Sequence, residues 1–305
     1  MNQKKTFVAG NITIDDIVLP NGETYMGTIG GDVLYASMGC RFWLDEVHML
    51  SRVNEAFMKE YEHLFVKAGL YYEGMGIYDE EIVRNWIIYD TDQRRHFIYR
   101  NSPELLEKLS PHINDIPEGV HADSIFLAAM AIENQIELAR HFKQSGVLVL
   151  ADPYDVDVTN KKDKLDELLK YVDIFLPSAL EAVAYFGNEN FKENAKKFSE
   201  LGPCIVVIKQ GEEGCLIYDK VKDQFWEIPA YEANVVDLTG AGDAFGGGFT
   251  AGYLLTADPR IAAAMGSISS SLAIEGFGSL PLFEKTRDEA KQRLEDFLYV
   301  IEQNK

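Results

Sequence analysis

The run Val235-Val236-Asp237-Leu238-Thr239-Gly240-Ala241-Gly242-Asp243-Ala244-Phe245-Gly246-Gly247-Gly248 restricts this chain more than any other stretch. A short apolar run reads as a strand end. Alternating glycines follow, and a small-residue helix continues through Tyr253-Leu254-Leu255. A Gly-Ala-Gly turn lets successive N–H groups point into one concavity. The helix that starts there adds its unpaired N–H groups and its positive dipole end. The result is an anion site built from backbone. Asp243 is the odd member, because a carboxylate repels an anion unless it takes a proton from a group attacking that anion. Phosphorylation of a hydroxyl needs this combination. Two other readings stand beside it. Asp243 could be a helix N-cap, or Gly240, Gly242 and Gly246 could form a dinucleotide fingerprint. Against the fingerprint, Phe245 holds the third-glycine position and Asp243 would face the pyrophosphate.

Asp237-x-Thr239-Gly240-Ala241-Gly242-Asp243-Ala244-Phe245, with its glycine-rich continuation, resembles the C-terminal signature of the ribokinase-like (PfkB) family of carbohydrate kinases. The resemblance implies an α/β fold: a mostly parallel central sheet with helices on both faces and a small β lid. It implies Asp243 as the base, with the backbone of Gly240, Ala241 and Gly242 around the transferred phosphoryl group.

Composition narrows the partners. A formal charge of −20 over 305 residues argues against nucleic acid and anionic membranes. ATP would itself be an anion approaching an acidic chain, and between Val235 and Leu282 the only cationic side chain is Arg260. Backbone N–H groups, a helix end and a divalent metal are the expected phosphate partners. Three scattered cysteines form no zinc spacing and suit a reduced, cytoplasmic compartment. The first twenty residues do not read as a signal peptide, and no apolar run reaches membrane-spanning length.

Along the chain, Thr6 to Ala9 reads as a buried strand, and Gly10-Asn11-Ile12-Thr13-Ile14-Asp15 follows. The family resemblance implies that Asp15 meets substrate hydroxyls, since a carboxylate accepts two such bonds; an ordinary turn role for Asp15 or Asp16 is the alternative. Ile17 to Ile29 reads as a hairpin around Pro20-Asn21-Gly22. Gly30-Gly31 then opens a helix through Leu44. In the family such a pair lets the sugar approach backbone closely. Where the family usually has Asn and Ala, this chain has Tyr35 and Ser37. Tyr35 is taken as a substrate-binding candidate, with burial in the core as its alternative. Val83 to Tyr89 and Arg95 to Tyr99 read as a second hairpin. The lid thus comes from about residues 12–30 and 82–100. Arg94, Arg95 and Arg100 could meet an anionic substrate group, or simply be solvated.

From Ser124 onward, apolar strands alternate with helices, which suits a parallel sheet covered on both faces. Pro177-Ser178-Ala179-Leu180-Glu181 resembles the family's Asn-x-x-Glu motif, which implies Glu181 near magnesium, through a water. Ser-x-x-Glu is equally a capping box. Lys209-Gln210-Gly211-Glu212-Glu213-Gly214 resembles the family's nucleotide turn, with Lys209 the best-placed cation for ATP phosphates. Asp237, Thr239, Ala273 and Gly278 fall where relatives bind potassium, so potassium activation is expected. Thr239 and Gly278 also belong to the expected nucleotide rim. No linker or repeat divides residues 1–305, which read as a single domain.

The expected activity is ATP-dependent transfer of the γ-phosphate to a hydroxyl of a small sugar or polyol, with Mg2+ and a homodimer paired through the lid. A nucleoside kinase is the alternative, with Tyr35 as a stacking face. A non-catalytic sugar-sensing protein is the rival of another class, suggested by the missing Asn at Tyr35 and Ser178. Intact Asp243 and Gly240-Ala241-Gly242 speak against it.

Overall fold

The computed structural model describes residues 4–90, 95–100 and 102–303. Its elements run β1 (Lys5–Ala9), β2 (Thr13–Val18), β3 (Thr24–Gly30), α1 (Asp32–Arg41), β4 (Glu46–Val53), α2 (Glu55–Ala68), β5 (Tyr71–Ile77), β6 (Val83–Tyr89), β7 (Arg95–Tyr99) and α3 (Pro103–Leu109). Then come β8 (Ser124–Leu127), α4 (Ile132–Gln144), β9 (Leu148–Ala151), α5 (Asp155–Asn160), α6 (Lys162–Leu169), β10 (Ile174–Phe175), α7 (Ala179–Phe186) and α8 (Phe191–Glu200). The last are β11 (Ile205–Lys209), β12 (Cys215–Asp219), β13 (Gln224–Ile228), α9 (Ala241–Thr256), α10 (Pro259–Ala273) and α11 (Arg287–Gln303).

Nine strands form one sheet in the order β13-β12-β11-β10-β9-β8-β1-β4-β5. Every pairing from β11 to β5 is parallel, and β12 and β13 add an antiparallel edge. Strands buried on both faces need apolar residues or paired polar ones, which is why β8 runs Ile-Phe-Leu after Ser124, whose hydroxyl pairs with Thr6, and β11 opens Ile-Val-Val-Ile. Successive side chains supply opposite cores: Val8 packs into one apolar cluster, Phe7 and Ala9 into the other.

The chain leaves β1 toward β4 and β5, then returns to β8 on the other side of β1. Strand order therefore reverses at β1, which opens a crevice at the carboxyl ends of β1 and β8.

A second, smaller sheet, β3-β2-β6-β7, draws its strands from residues 13–30 and 83–99. β2 pairs antiparallel with β3 and parallel with β6, and β6 pairs antiparallel with β7. Alternation in β6 sends Val83, Asn85, Ile87 and Tyr89 inward and leaves Trp86 exposed outside, opposite Ile98. Asp15 and Asp16 lie on β2, not in a turn. Asp16 is held on the lid by Arg84 (2.8 Å) and Arg100 (2.9 Å). Arg100 is thus neutralised by its own sheet; Arg94 and the Arg95 side chain lie outside the described residues. Among the described residues, no helix is long and apolar enough to cross a membrane.

Candidate active site

Gly240 is the N-cap of α9 and sits in the left-handed region at φ 75°. Its missing side chain has a second use: a Cβ there would collide with the Tyr35 ring. Asp243 lies in the first turn, three residues beyond that cap, so it is not the N-cap. Ala241 N–H turns back to the Leu238 carbonyl at 3.3 Å and is engaged within the turn. Around Gly242 only the Lys209 side chain comes within 4 Å of where a Cβ would stand, with Nζ at 3.3 Å. An ammonium therefore faces the glycine turn from the end of β11.

Lys209 is paired with Asp152, which follows β9. Its N–H donates to the Pro177 carbonyl at 2.8 Å, which brings the β10 and β11 ends together. Ser178 and Glu181 form the capping box of α7: Ser178 N–H donates to Glu181 at 2.6 Å, and Glu181 N–H to Ser178 Oγ at 3.2 Å. Beyond its capping role, Glu181 stands close enough to Asp152 and Lys209 to feel their charge. Burial, then repulsion from Asp152, pushes Glu181 up to about 7. Burial likewise pushes Asp152 up to about 6, against the pull of Lys209. For Lys209 burial alone would favour the neutral amine, but Asp152 and Glu181 outweigh it and raise the pKa above its ordinary value. Lys209 stays charged. Gly211 and Gly214 flank the turn after it, both at positive φ (62° and 94°), closed by Gln210 N–H to Gly214 O at 2.8 Å.

On the lid side, Asp15 is buried and accepts from Thr13 Oγ1 (3.1 Å) and Asn85 Nδ2 (3.2 Å). Gly30 and Gly31 leave room for the chain itself. A Cβ on Gly30 would collide with the Asp15 carboxylate, and one on Gly31, at φ 107°, with the Asn11 carbonyl. The expectation for Tyr35 is corrected. It is 2% exposed, buried in the core against the Gly240 turn, and offers no stacking face. The residue after the glycine pair, Asp32, went unnoticed in the sequence. It begins α1, and burial followed by the nearby Asp243 charge raises its pKa well above its ordinary value.

Asp237 ties three segments. It accepts from Tyr89 of the lid strand β6, from Thr239 N–H (2.9 Å) and from Gly278 N–H (2.9 Å). Gly278 (φ 62°) lies against Thr28 of β3, and Ser279 Oγ donates to the Ile29 carbonyl at 2.6 Å. The lid is thus bonded to both loops that flank α9 and α10.

A glycine turn at a helix start, a carboxylate in that first turn and an ammonium beside it, all at the carboxyl edge of an open parallel sheet, define a phosphotransferase-like architecture. A family profile, the pfkB family carbohydrate kinase, matches residues 28–285. The chain belongs to the pfkB family of carbohydrate kinases, enzymes that phosphorylate an alcohol group. It is 28% identical over 250 residues to the cytidine kinase of Thermococcus kodakarensis, covering 81% of this chain and 87% of that one. It is 26% identical over 313 residues to the ribokinase of Lactococcus lactis subsp. lactis, covering 97% and 99%. The fold matches a crystal structure from E. coli, provisionally assigned as Ribokinase II and in complex with ATP and Mg2+. That match has a TM-score of 0.78 at 19% identity, over 96% of this chain and 99% of that one. Kinases of this family use ATP and Mg2+.

Asp15 gives this site a pH signature. Burial pushes its carboxyl from 3.8 up to about 6, so the folded chain holds that proton more tightly than the unfolded chain. Its contribution to stability is complete below about pH 4 and is lost as pH rises through 6. Asp15→Asn removes this titration. The stability of the variant relative to wild type should rise by on the order of 2–3 kcal/mol between pH 4 and pH 7. Urea denaturation of both proteins at both pH values measures it; an unchanged difference would mean that Asp15 ionises without penalty.

Proposed function

We propose that this chain is an ATP-dependent kinase that transfers the γ-phosphoryl group to a hydroxyl of a small sugar or polyol. The observation that carries this is Asp243 in the first turn of α9, beyond a left-handed Gly240, with Lys209 Nζ beside Gly242. In this reading the first-turn amides of α9 and the Lys209 ammonium hold the oxygens of the phosphoryl group. Asp243 takes the acceptor's hydroxyl proton as the new O–P bond forms. The bond to ADP breaks, and ADP leaves with its electron pair. Asp15, with Thr13 and Asn85 behind it, orients the acceptor. Relatives named ribokinase and cytidine kinase support a hydroxyl on a sugar ring.

Magnesium fits the site. Buried Asp152 and half-buried Glu181 repel one another, and Mg2+ ordinarily takes one or two carboxylates plus substrate phosphates. They would hold it directly or through water, where it would neutralise charge on the phosphate oxygens.

Asp243→Asn keeps the size of the side chain but cannot accept the proton. Turnover should fall by about 10²–10⁴, while ATP affinity and melting temperature stay close to wild type. Turnover, nucleotide binding and thermal denaturation on one preparation decide it; near wild-type turnover would remove Asp243 as the base.

Potassium fits less well. A carboxylate has about four acceptor positions, and Asp237 already takes hydrogen bonds from Tyr89, Thr239 and Gly278. The tyrosine hydroxyl of the lid does there what a cation does by charge: it anchors the turn before Gly240. Rates in potassium, sodium and tetramethylammonium chloride at equal ionic strength should agree within about twofold; stronger activation by potassium would show that Tyr89 yields its place.

The outer face of the lid supports pairing between chains, since Trp86 and Ile98 stand exposed opposite one another on it. Light scattering should give a dimer mass for the wild type and a monomer for a Trp86→Glu/Ile98→Glu variant. A wild-type monomer at the assay concentration would exclude lid pairing.

A further inference from the structure

The crevice at the β1/β8 switch opens into a cavity of about 430 Å³ between the inner face of the lid and the carboxyl ends of β1, β8 and β9. Pockets of about 300–1,000 Å³ commonly enclose molecules larger than one sugar ring. Three features of its wall specify an occupant.

The first is an unmet donor and an unmet acceptor. Asn11 and Asn85 are both more than nine-tenths buried and both line the cavity. Asn11 Nδ2 and Asn85 Oδ1 have no hydrogen-bond partner among the described residues, although the other polar atom of each is engaged, with Ser110 and Asp15. Buried polar atoms are seldom left unpaired. A hydroxyl accepts from one amide and donates to the other, so a polyol answers both.

The second is an aromatic corner. Tyr99 of β7 and Tyr154, just after β9, line the same cavity with ring centroids 6.1 Å apart at 78°. Tyr99 is 46% exposed there, beside Met130 and Val83. Two rings set nearly at right angles make a corner in which a third ring stacks on one and meets the edge of the other. A bare sugar would leave that apolar wall uncovered.

The third is charge. The cavity wall carries Glu104, Glu107, Glu133 and Asp157 against a single cation, Lys161. Lys161 is already bridged to Glu133 (3.1 Å) and Asp157 (3.5 Å). Among the described residues nothing in this wall offers a free counter-charge to a phosphate or a carboxylate, and like charges there disfavour both.

We propose that the acceptor is an uncharged polyol carrying a flat ring, a nucleoside or comparable glycoside. Its sugar hydroxyl bridges Asn11 and Asn85, its ring rests in the Tyr99–Tyr154 corner, and the acidic wall excludes sugar phosphates and sugar acids. This rests on the kinase reading above and names the acceptor for that same site.

The test uses the full chain and four probes: cytidine, inosine, ribose and ribose 5-phosphate. ATP turnover is measured on the wild type. Equilibrium binding is measured on Asp243→Asn, which keeps the cavity without the proposed base. A nucleoside should exceed ribose at least 100-fold in kcat/KM, and ribose 5-phosphate should be the poorest acceptor. Tyr154→Ala in the Asp243→Asn background should weaken nucleoside binding at least tenfold and leave ribose binding within twofold. Tyr154→Phe, which keeps the ring, should bind nucleoside like the parent and control for misfolding. Turnover of ribose or ribose 5-phosphate at least as good as that of the nucleosides overturns the inference while the kinase reading stands. Nucleoside binding that is indifferent to Tyr154→Ala overturns it as well. Tyr154-dependent nucleoside binding with no turnover of any probe supports the ring corner and removes the kinase reading.

Discussion

The candidate site depends on how closely α9 lies on α1. Glycine inside a helix costs about 1 kcal/mol relative to alanine, yet α9 contains Gly246-Gly247-Gly248 and Gly252. Space explains them. A Cβ on Gly247 would strike the Ala36 carbonyl of α1, one on Gly246 the Phe126 ring of β8, and one on Gly248 Ser269 of α10. From the other side, Gly39 of α1 accommodates the Ala244 backbone, and Cys40 Sγ donates to the Gly247 carbonyl at 3.0 Å. Backbone meets backbone without intervening side chains. The start of α1, with Asp32 and Gly31, is thereby fixed against the start of α9, with Asp243. The proposed acceptor wall at the start of α1 and the proposed base on α9 thus sit on two helices that cannot shift relative to one another without a clash.

That packing also explains which parts of the chain were legible. The parallel strands stood out because burial on both faces makes them continuous apolar runs. The glycine turn stood out because its conformation excludes most residues. Tyr35 was located by its spacing from Gly30 but not by its direction. Positions 33–40 of α1 are all buried, so no polar stripe phases that helix and nothing in the pattern says which neighbour the ring meets. The ring fills the space under Gly240, a partner 205 residues away. Tyr99 and Tyr154 were invisible for a related reason: one ends a lid strand, the other follows β9, and only the fold brings them together. The helices α3 and α8 were missed although their caps are readable. Ser102 precedes Pro103 and accepts from Leu105 N–H, and Asn190 accepts from Glu193 N–H. Helix α3, seven residues long, is too short to show a period, whereas α8 carries a clear one, with Ala195 and Phe198 buried on one face.

Chain-wide charge and local charge have separate roles. A net charge of −20 cannot attract a nucleotide triphosphate. Attraction has to come from a few groups acting where water is scarce and each charge counts for more. In the proposed reading Lys209 is such a group. It is nearly buried, beside the glycine turn, and kept charged by two carboxylates.

Those carboxylates set a further condition. In the nucleotide-free chain Lys209 offsets part of the cost of burying Asp152 and Glu181, whose pKa values still rise to about 6 and 7. A phosphate oxygen drawn to Lys209 competes for the same ammonium and leaves the two carboxylates less compensated beside a new anion. Near neutral pH two outcomes relieve this: the carboxylates take up protons, or a dication enters between them and the phosphates. Protonation would discard the negative charge that a metal needs, whereas a dication satisfies carboxylates and phosphates together. In the proposed reading, the arrangement that keeps Lys209 charged would therefore favour a nucleotide accompanied by a metal, and would tie nucleotide binding to the ends of β9, β10 and β11 as well as to the turn at Gly240.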